Sequence, residues 1–590
     1  MESRSSGRWD LESKVNFQIS SHQFLGREND MTRTDKGPGL SHSSSSTTLP
    51  CSEEKEPAAE AGPGETSRGE AEEWARGAGF WRCFVGLCVP ILLSAFEGSV
   101  VSTALPTISR SLKLGPNSSW VATAFLLASI VFQPLFGQLA DIWGRRHLMM
   151  AAVIIFGAGS AVAGYANNCA ALISGRIIQG IGSGGIDLFA ELILCDIIPL
   201  KKRGHYVAIK AAVYALGTTV GPLLGGVFAQ TNWRWCFAVN LPVCIIALVL
   251  MWFWLRLRSG DSWKGLSVAQ QISQVDYLGI LLLTAAVVLI LCALSLAGTV
   301  YAWSDPTIVA SLAGGFFGIV AFVFWERSRR CAHPIMAPHV FSNRTTVAAL
   351  VITAVHGFIT YGFQFYLPPF FQAVLQASPS KSGVLILPCS LTIVVLAAVG
   401  GPLLARFGKY RLMHLAGFAL MAAGLLPSII FEYAGSVALW ISLSFLVGIG
   451  SGVIVSTTLP AVLVELTDKE NAAATGSWAF LRGLGSLLGV AIPNAVFNAQ
   501  FSASLQSIGD ATARSELSNG QAYEHASATF IASFDSRVRQ QILDAFMASF
   551  RLVWVIFLIL AVLGLVAALL ERQVRLRRNL DSDFGLKERE

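Results

Sequence analysis

The chain has 590 residues, of which 53% are hydrophobic and 14% charged, and its net charge is +6. Soluble domains carry about 25% charged residues, so a string of such domains is excluded, in keeping with a mean hydropathy of +0.57. Lys and Arg fall in short loops between apolar runs rather than in one basic patch, which argues against a nucleic-acid partner.

Residues 1–79 are polar and rich in Ser, Gly and Glu; such a segment buries too little apolar surface to fold and is expected to be a disordered cytoplasmic tail. Apolar runs of the length that crosses about 30 Å of hydrocarbon as a helix then recur. The first six are predicted at Phe80–Leu105, Trp120–Leu139, Leu148–Ala166, Ala171–Cys195, Tyr206–Phe228 and Phe237–Leu255. Two more follow at Leu278–Leu296 and Ile308–Trp325, and six at Val347–Leu367, Gly383–Leu404, Leu412–Phe431, Val437–Val464, Ala473–Phe497 and Phe550–Leu570. The expected fold is an all-α polytopic membrane protein of about fourteen spans. The ten cysteines are scattered, mostly within spans and without metal-ligand spacing; they read as small packing residues, and no metal or other cofactor is expected.

Loop charge sets the expected orientation. Arg145, Arg146, Lys201, Lys202, Arg203, Arg256, Arg327, Arg406, Lys409 and Arg572 all fall on one face, while loops such as 165–168 and 300–305 carry no Lys or Arg. By the positive-inside rule both termini are cytoplasmic. A polar stretch at about 498–547 then lies outside as a long loop, and its part from Phe534 to Phe546 reads as a surface-lying helix or a plain loop. Asn117 opens a glycosylation sequon in the first outside loop.

The stretch Gly137-Gln-Leu-Ala-Asp141-Ile-Trp-Gly144-Arg145-Arg146 is a polar clasp between two apolar runs, and Gly401-Pro-Leu-Leu-Ala405-Arg-Phe-Gly408-Lys409 repeats its spacing in the second half. The repeat predicts two six-helix bundles (80–255 and 331–571), a linker carrying two extra helices at 256–330, and a cytoplasmic tail at 572–590; parallel repeats of this kind build transporters.

The clasp resembles the signature between the second and third helices of the major facilitator superfamily. Arg176-Ile-Ile-Gln-Gly180 resembles that family's fourth-helix signature, and Gly217-Thr-Thr-Val-Gly221-Pro222-Leu-Leu-Gly225-Gly226 its fifth-helix antiporter signature. Glu97 to Pro106, Trp233 to Pro242, and Tyr366 to Gln372 with Ser382 to Pro388 resemble the fourteen-span drug:proton antiporters, in a style similar to the fungal multidrug and mycotoxin exporters. The resemblance implies proton-coupled efflux of small hydrophobic or amphipathic compounds, such as azole antifungals, toxins or secondary metabolites, by a monomer in the plasma membrane. The alternative it leaves open is vacuolar uptake of basic amino acids. No Walker sequence is present to drive an ATP pump and no HExxH sequence suggests an enzyme.

The residues give these expectations a chemistry. Charge at membrane depth is expensive and persists where it faces protein or a water path. Glu97, between desolvation and the nearby charge of Arg176, is expected to load and release the proton; a purely structural pair is the alternative. Asp187 and Glu191 share a helical face, with Arg176 about three turns earlier, and with His356, Tyr361, Gln364 and Arg482 they are the expected lining of a substrate cavity. Gly137, Asp141, Gly144, Arg145, Arg146 and Asp196 form the expected conformational latch, Asp196 pairing with one of the two arginines and Asp141 facing the helix start near Asn471. Gly217, Gly221, Pro222, Gly225 and Gly226 are expected to form a tight, kinked gate against leak.

Overall fold

The computed structural model describes residues 78–576, apart from residues 113, 115–119, 199, 258–269, 271–274, 299–300, 332, 431–436, 468–469, 519–520, 523–524 and 527. Of the tail expected at 1–79, residues 1–77 lie outside the described residues, as does the sequon at Asn117, while residues 78 and 79 open the first helix.

The described chain is all helix. Fourteen long helical units follow the apolar runs: α1 Ala78–Leu112, α2 Trp120–Val131 continued by Gln133–Trp143, α3 Arg145–Gly164, α4 Cys169–Ile197, α5 Leu200–Thr231 and α6 Trp235–Ala238 continued by Asn240–Trp254. Next come α7 Tyr277–Leu296 and α8 Pro306–Glu326, then α9 Arg344–Ala373, α10 Pro379–Phe407, α11 Tyr410–Ile430, α12 Val437–Val455 continued by Thr458–Leu463, α13 Asn471–Ser504 and α14 Ser536–Leu570. Twelve of these units are long and apolar enough to cross a membrane by length and composition. The other two, α5 and α11, carry Lys210 and the buried His414 in their span regions.

Local chemistry explains the breaks. Asn168, Asp276, Asp305 and Ser378 each cap a helix with their side chain, accepting from Ala171, Gly279, Thr307 and Lys381 backbone N–H groups. The clasp turns on Gly144 at φ +78° and its copy on Gly408 at φ +66°, a left-handed conformation that glycine adopts without the steric penalty of a Cβ. The internal repeat is thus present in the backbone as well as in the spacing.

Helices α1–α6 pack among themselves, as do α9–α14, and the two sets meet along two seams, α2 with α13 and α5 with α10. The inserted pair α7–α8 packs on itself and against α2 and α13. Most of its surface is bare: only 17% of the α8 span is buried, leaving Phe316, Phe317 and Phe324 open, a surface that belongs against lipid.

The cores are distributed unevenly along the bundle. At the clasp end one apolar cluster joins both sets of helices, running from Phe136, Met149 and Leu194 to Val462, Ala474 and Trp478. At the far end each set has its own cluster, around Val100, Ile108 and Phe237 in one and around Phe497, Phe546 and Trp554 in the other. The bundle is therefore sealed at the clasp end.

One sequence expectation is corrected here. The stretch from Ser536 to Phe546 is neither a surface helix nor a loop: it forms the first turns of α14, so the connection between the last two spans is confined to 505–535 and itself contains short helices at Ala511–Glu516 and Ala528–Ala532. The cause is a continuous aromatic stripe. Phe546, Phe550, Trp554 and Phe557 recur at helical spacing and are all buried; the first three pack against Phe497 or Phe370, and Phe557 packs against Phe358. The mixed polarity upstream is that of a helix with one face on this core and the other in water.

Candidate functional site

Glu97 is fully buried on α1 and its carboxylate is held from two sides. Arg176 Nη1 on α4 donates to Oε1, and Asn240 Nδ2 on α6 donates to Oε2 at 2.6 Å. Arg176 is itself buried and pinned: its Nε donates to the Val121 carbonyl at 2.9 Å, Nη1 also donates to Gln179 Oε1 at 2.7 Å, and the guanidinium lies 4.2 Å from the Phe125 ring centroid. Gln179 Nε2 donates to Ser160 Oγ on α3 at 2.7 Å. Five helices of the first half thus converge on one carboxylate. Both of its oxygens are served in the charged form, which makes burial tolerable. The Asn240 Oδ1 atom is buried without a hydrogen-bond partner among the described residues. Rotating that amide would present an acceptor to a protonated Glu97, since an amide donates from nitrogen and accepts on oxygen. The sequence pairing of Glu97 with Arg176 is present; the parts of Asn240, Gln179 and Ser160 were not read from it.

A second polar cluster crosses between the halves. Glu191 on α4 forms an ion pair with Lys210 on α5. Asp187, one turn before Glu191, faces Ser94 and lies within electrostatic reach of Lys210 and of Arg482 on α13. Tyr214 on α5 and Tyr361 on α9 face one another across the seam. The structure therefore brings together Asp187, Glu191, Tyr361 and Arg482, with Lys210 and Tyr214 beside them. Lys210 was legible: a lysine inside an apolar span is a functional flag by its cost alone.

Two sequence expectations change. Arg176 does not share the face of Asp187 and Glu191; it turns to Glu97 and away from the central cluster. His356 is buried on α9 and bound to Ser451 on α12 through its Oγ at 2.9 Å, with Thr360 beside it, which is a helix-to-helix contact within the second half. Among the aromatic side chains of α9, Phe358, Phe363 and Tyr366 are core, while Tyr361 and Phe365, four apart on one face, stay open. Gln364 ties α9 to α10 by accepting from Ser390 Oγ at 3.3 Å.

At the clasp, Arg145 Nε sits 2.9 Å from Asp196 Oδ2 with both side chains buried, and Arg145 Nη1 donates to the Ala140 carbonyl. This pair joins α3 to α4 within the first half, so it does not itself cross between halves as a latch would. Arg146 instead donates to the Trp252 carbonyl on α6 and lies over its ring. The crossing contact is made by backbone: a Cβ on Gly137 would lie 3.3 Å from the Ala472 carbonyl oxygen and 3.5 Å from Gly476 Cα on α13. The Asp141 side chain lies outside the described set. The fifth-helix glycines face α1, where a Cβ on Gly217 would meet the Leu92 carbonyl at 2.7 Å and one on Gly221 the Phe96 carbonyl at 2.9 Å. Close backbone approach inside the first half is their direct role; Gly225 is buried on the same helix, and the environments of Pro222 and Gly226 are outside the described set. A buried pair missed from sequence, His414 Nδ1 with Glu571 Oε2 at 2.8 Å, occupies the neighbourhood of the second clasp.

A family model for the Major Facilitator Superfamily matches residues 87–490, and the chain belongs to that superfamily: it is a multi-pass membrane transporter and not an enzyme. Among its relatives are fungal efflux proteins. The MFS-type efflux transporter phmH of Phaeosphaeria nodorum is 38% identical over 520 residues, covering 86% of this chain and 88% of that one. The MFS-type efflux pump LUC4 of a Fusarium species is 37% identical, covering 87% and 91%, and the efflux pump FUS6 of Gibberella moniliformis is 37% identical, covering 88% and 92%. The human organic anion transporter MFSD10 (TETRAN) matches in structure with a TM-score of 0.51 at 14% identity, over 79% of this chain and 99% of that one; at that identity the likeness is one of fold.

Proposed function

We propose that this protein exports small hydrophobic or amphipathic compounds of the secondary-metabolite or toxin class in exchange for protons, by alternating access. The efflux names of its relatives support the direction. The observation that carries the coupling is the fully buried Glu97, held by one cation and one rotatable amide. Protonation of Glu97 removes its attraction for Arg176 and calls for the Asn240 acceptor. Proton binding can bias the two orientations of the halves only by differing between them, and a network drawn from α1, α2, α3, α4 and α6 has the reach to do so. The Arg145–Asp196 pair would fix the shape of the clasp so that Gly137 seats on α13. The two six-helix bundles at 80–255 and 331–571 would be the moving bodies, with the clasp end and both termini cytoplasmic and the protein in the plasma membrane.

Uptake of basic amino acids into a vacuole is the less favoured reading, because Glu191 is already neutralised by Lys210. The test is accumulation of a fluorescent dye in cells with and without the protein. Export should vanish with a protonophore and with Glu97→Gln. A Glu97→Gln variant that exports at the normal rate with normal pH dependence would remove Glu97 from the mechanism.

A further inference from the structure

The proton centre leaves Arg482 unused, although it is a cation in the middle of a membrane helix. It is half-buried on α13, with its guanidinium 4.9 Å from the Trp478 ring centroid. Trp478 is fixed in turn, its indole Nε1 donating to Thr458 Oγ1 at 3.1 Å. Among the described residues Arg482 makes no ion pair and no side-chain hydrogen bond. The carboxylate it senses, Asp187, stands on the first half, and Asp187 Oδ1 is likewise without a hydrogen-bond partner. The other cation here, Lys210, pairs with Glu191 and is also within electrostatic reach of Asp187. Tyr214 and Tyr361 face each other, Tyr214 within electrostatic reach of both Asp187 and Arg482, and Tyr361 and Phe365 present an open aromatic face.

An unpaired guanidinium at this depth is expensive. It is also the group best suited to bind a carboxylate through two parallel hydrogen bonds while stacked on an aromatic ring. We infer that Arg482 receives an acidic oxygen group on the cargo, so that the exported compound is an amphipathic organic anion with its apolar body along Tyr361 and Phe365. The site is split between the halves: Arg482 comes from the second, and Asp187 and Tyr214 from the first. Asp187 competes with the cargo for Arg482, so binding of the anion changes the charge balance across the seam. This inference rests on the export reading and names its substrate class.

The test is binding to the full chain in lipid nanodiscs, read from tryptophan fluorescence and corrected with a Trp478→Phe variant. The probes are naphthylacetate and its methyl ester, which differ by one charge. The acid should bind about tenfold more tightly than the ester. Arg482→Gln should abolish that preference, Arg482→Lys should keep part of it, and Asp187→Asn should tighten the acid and leave the ester unchanged. Equal binding of acid and ester, binding of neither, or a preference that survives Arg482→Gln would overturn the inference. Should the glutamine variant not fold, an unchanged acid affinity in Asp187→Asn would do the same. None of these results touches the proton-driven export tested through Glu97, so the two readings fail separately.

Discussion

Replacing Gly137 with a larger residue tests the seal at the clasp end. A Cβ there would sit 3.3 Å from the Ala472 carbonyl oxygen and 3.5 Å from Gly476 Cα. The first contact is tight and the second ordinary, so Gly137→Ala requires a shift of only a few tenths of an ångström. Gly137→Leu adds three further carbon atoms against α13 backbone, which has no side chain to move aside. Overpacking of this kind costs about 1–3 kcal/mol. Because the contact exists only while α2 and α13 are together, that energy falls on the sealed state and shifts its ratio to the open state by about 5- to 150-fold. The assay is alkylation of a cysteine introduced at Ala474, a fully buried residue of the shared core. Cys331, in the connection between α8 and α9, contributes little background, since burial and then the charge of Asp276 push its thiol up to about 12. Gly137→Ala should label at nearly the native rate and Gly137→Leu faster by about 5- to 150-fold. If Gly137→Leu labels no faster while remaining folded in the membrane, the Gly137–Gly476 contact does not hold the clasp end shut.

Two further outcomes follow from buried charge. Asp196→Asn removes the carboxylate from the buried Arg145–Asp196 pair and should lower stability by about 3–5 kcal/mol, whereas Arg145→Met with Asp196→Leu should recover most of it; thermal unfolding of the purified variants checks this, and equal losses in the single and double variants would contradict it. Lys210→Met should be more harmful than Lys210→Met combined with Glu191→Gln, because the single change strands a buried carboxylate; a double variant whose thermal stability equals the sum of its two single losses would show that the pair is not coupled.

The membrane architecture was legible because apolar run length is a direct physical requirement of the bilayer, and each predicted span corresponds to an observed helical unit. Pairs inside the first half were also legible, since Glu97, Arg176 and Arg145 lie in recognisable signatures and Asp196 stands at the end of the same helix as Arg176. Relations between halves were not. Nothing in the spacing of Asp187 and Arg482 says that α4 and α13 bring them within reach; that depends on how two bundles dock. The spacing of Arg176 and Asp187 misled for a related reason: three turns bring two residues near one face, but a long arginine follows its partner rather than its Cα. The start of α14 was missed because a helix with one wet face dilutes the hydropathy signal, although its aromatic stripe at Phe546, Phe550 and Trp554 was present all along. His414 with Glu571 joins residues 157 apart in sequence, beyond any local pattern.

The central claim is that Glu97 carries the proton that drives export, and reconstituted vesicles separate that role from substrate binding. With an imposed pH gradient, the native protein should accumulate a transported dye. Glu97→Gln should lose this gradient-driven accumulation while still exchanging labelled for unlabelled dye when no gradient is present. Full gradient-driven accumulation by Glu97→Gln would contradict the account.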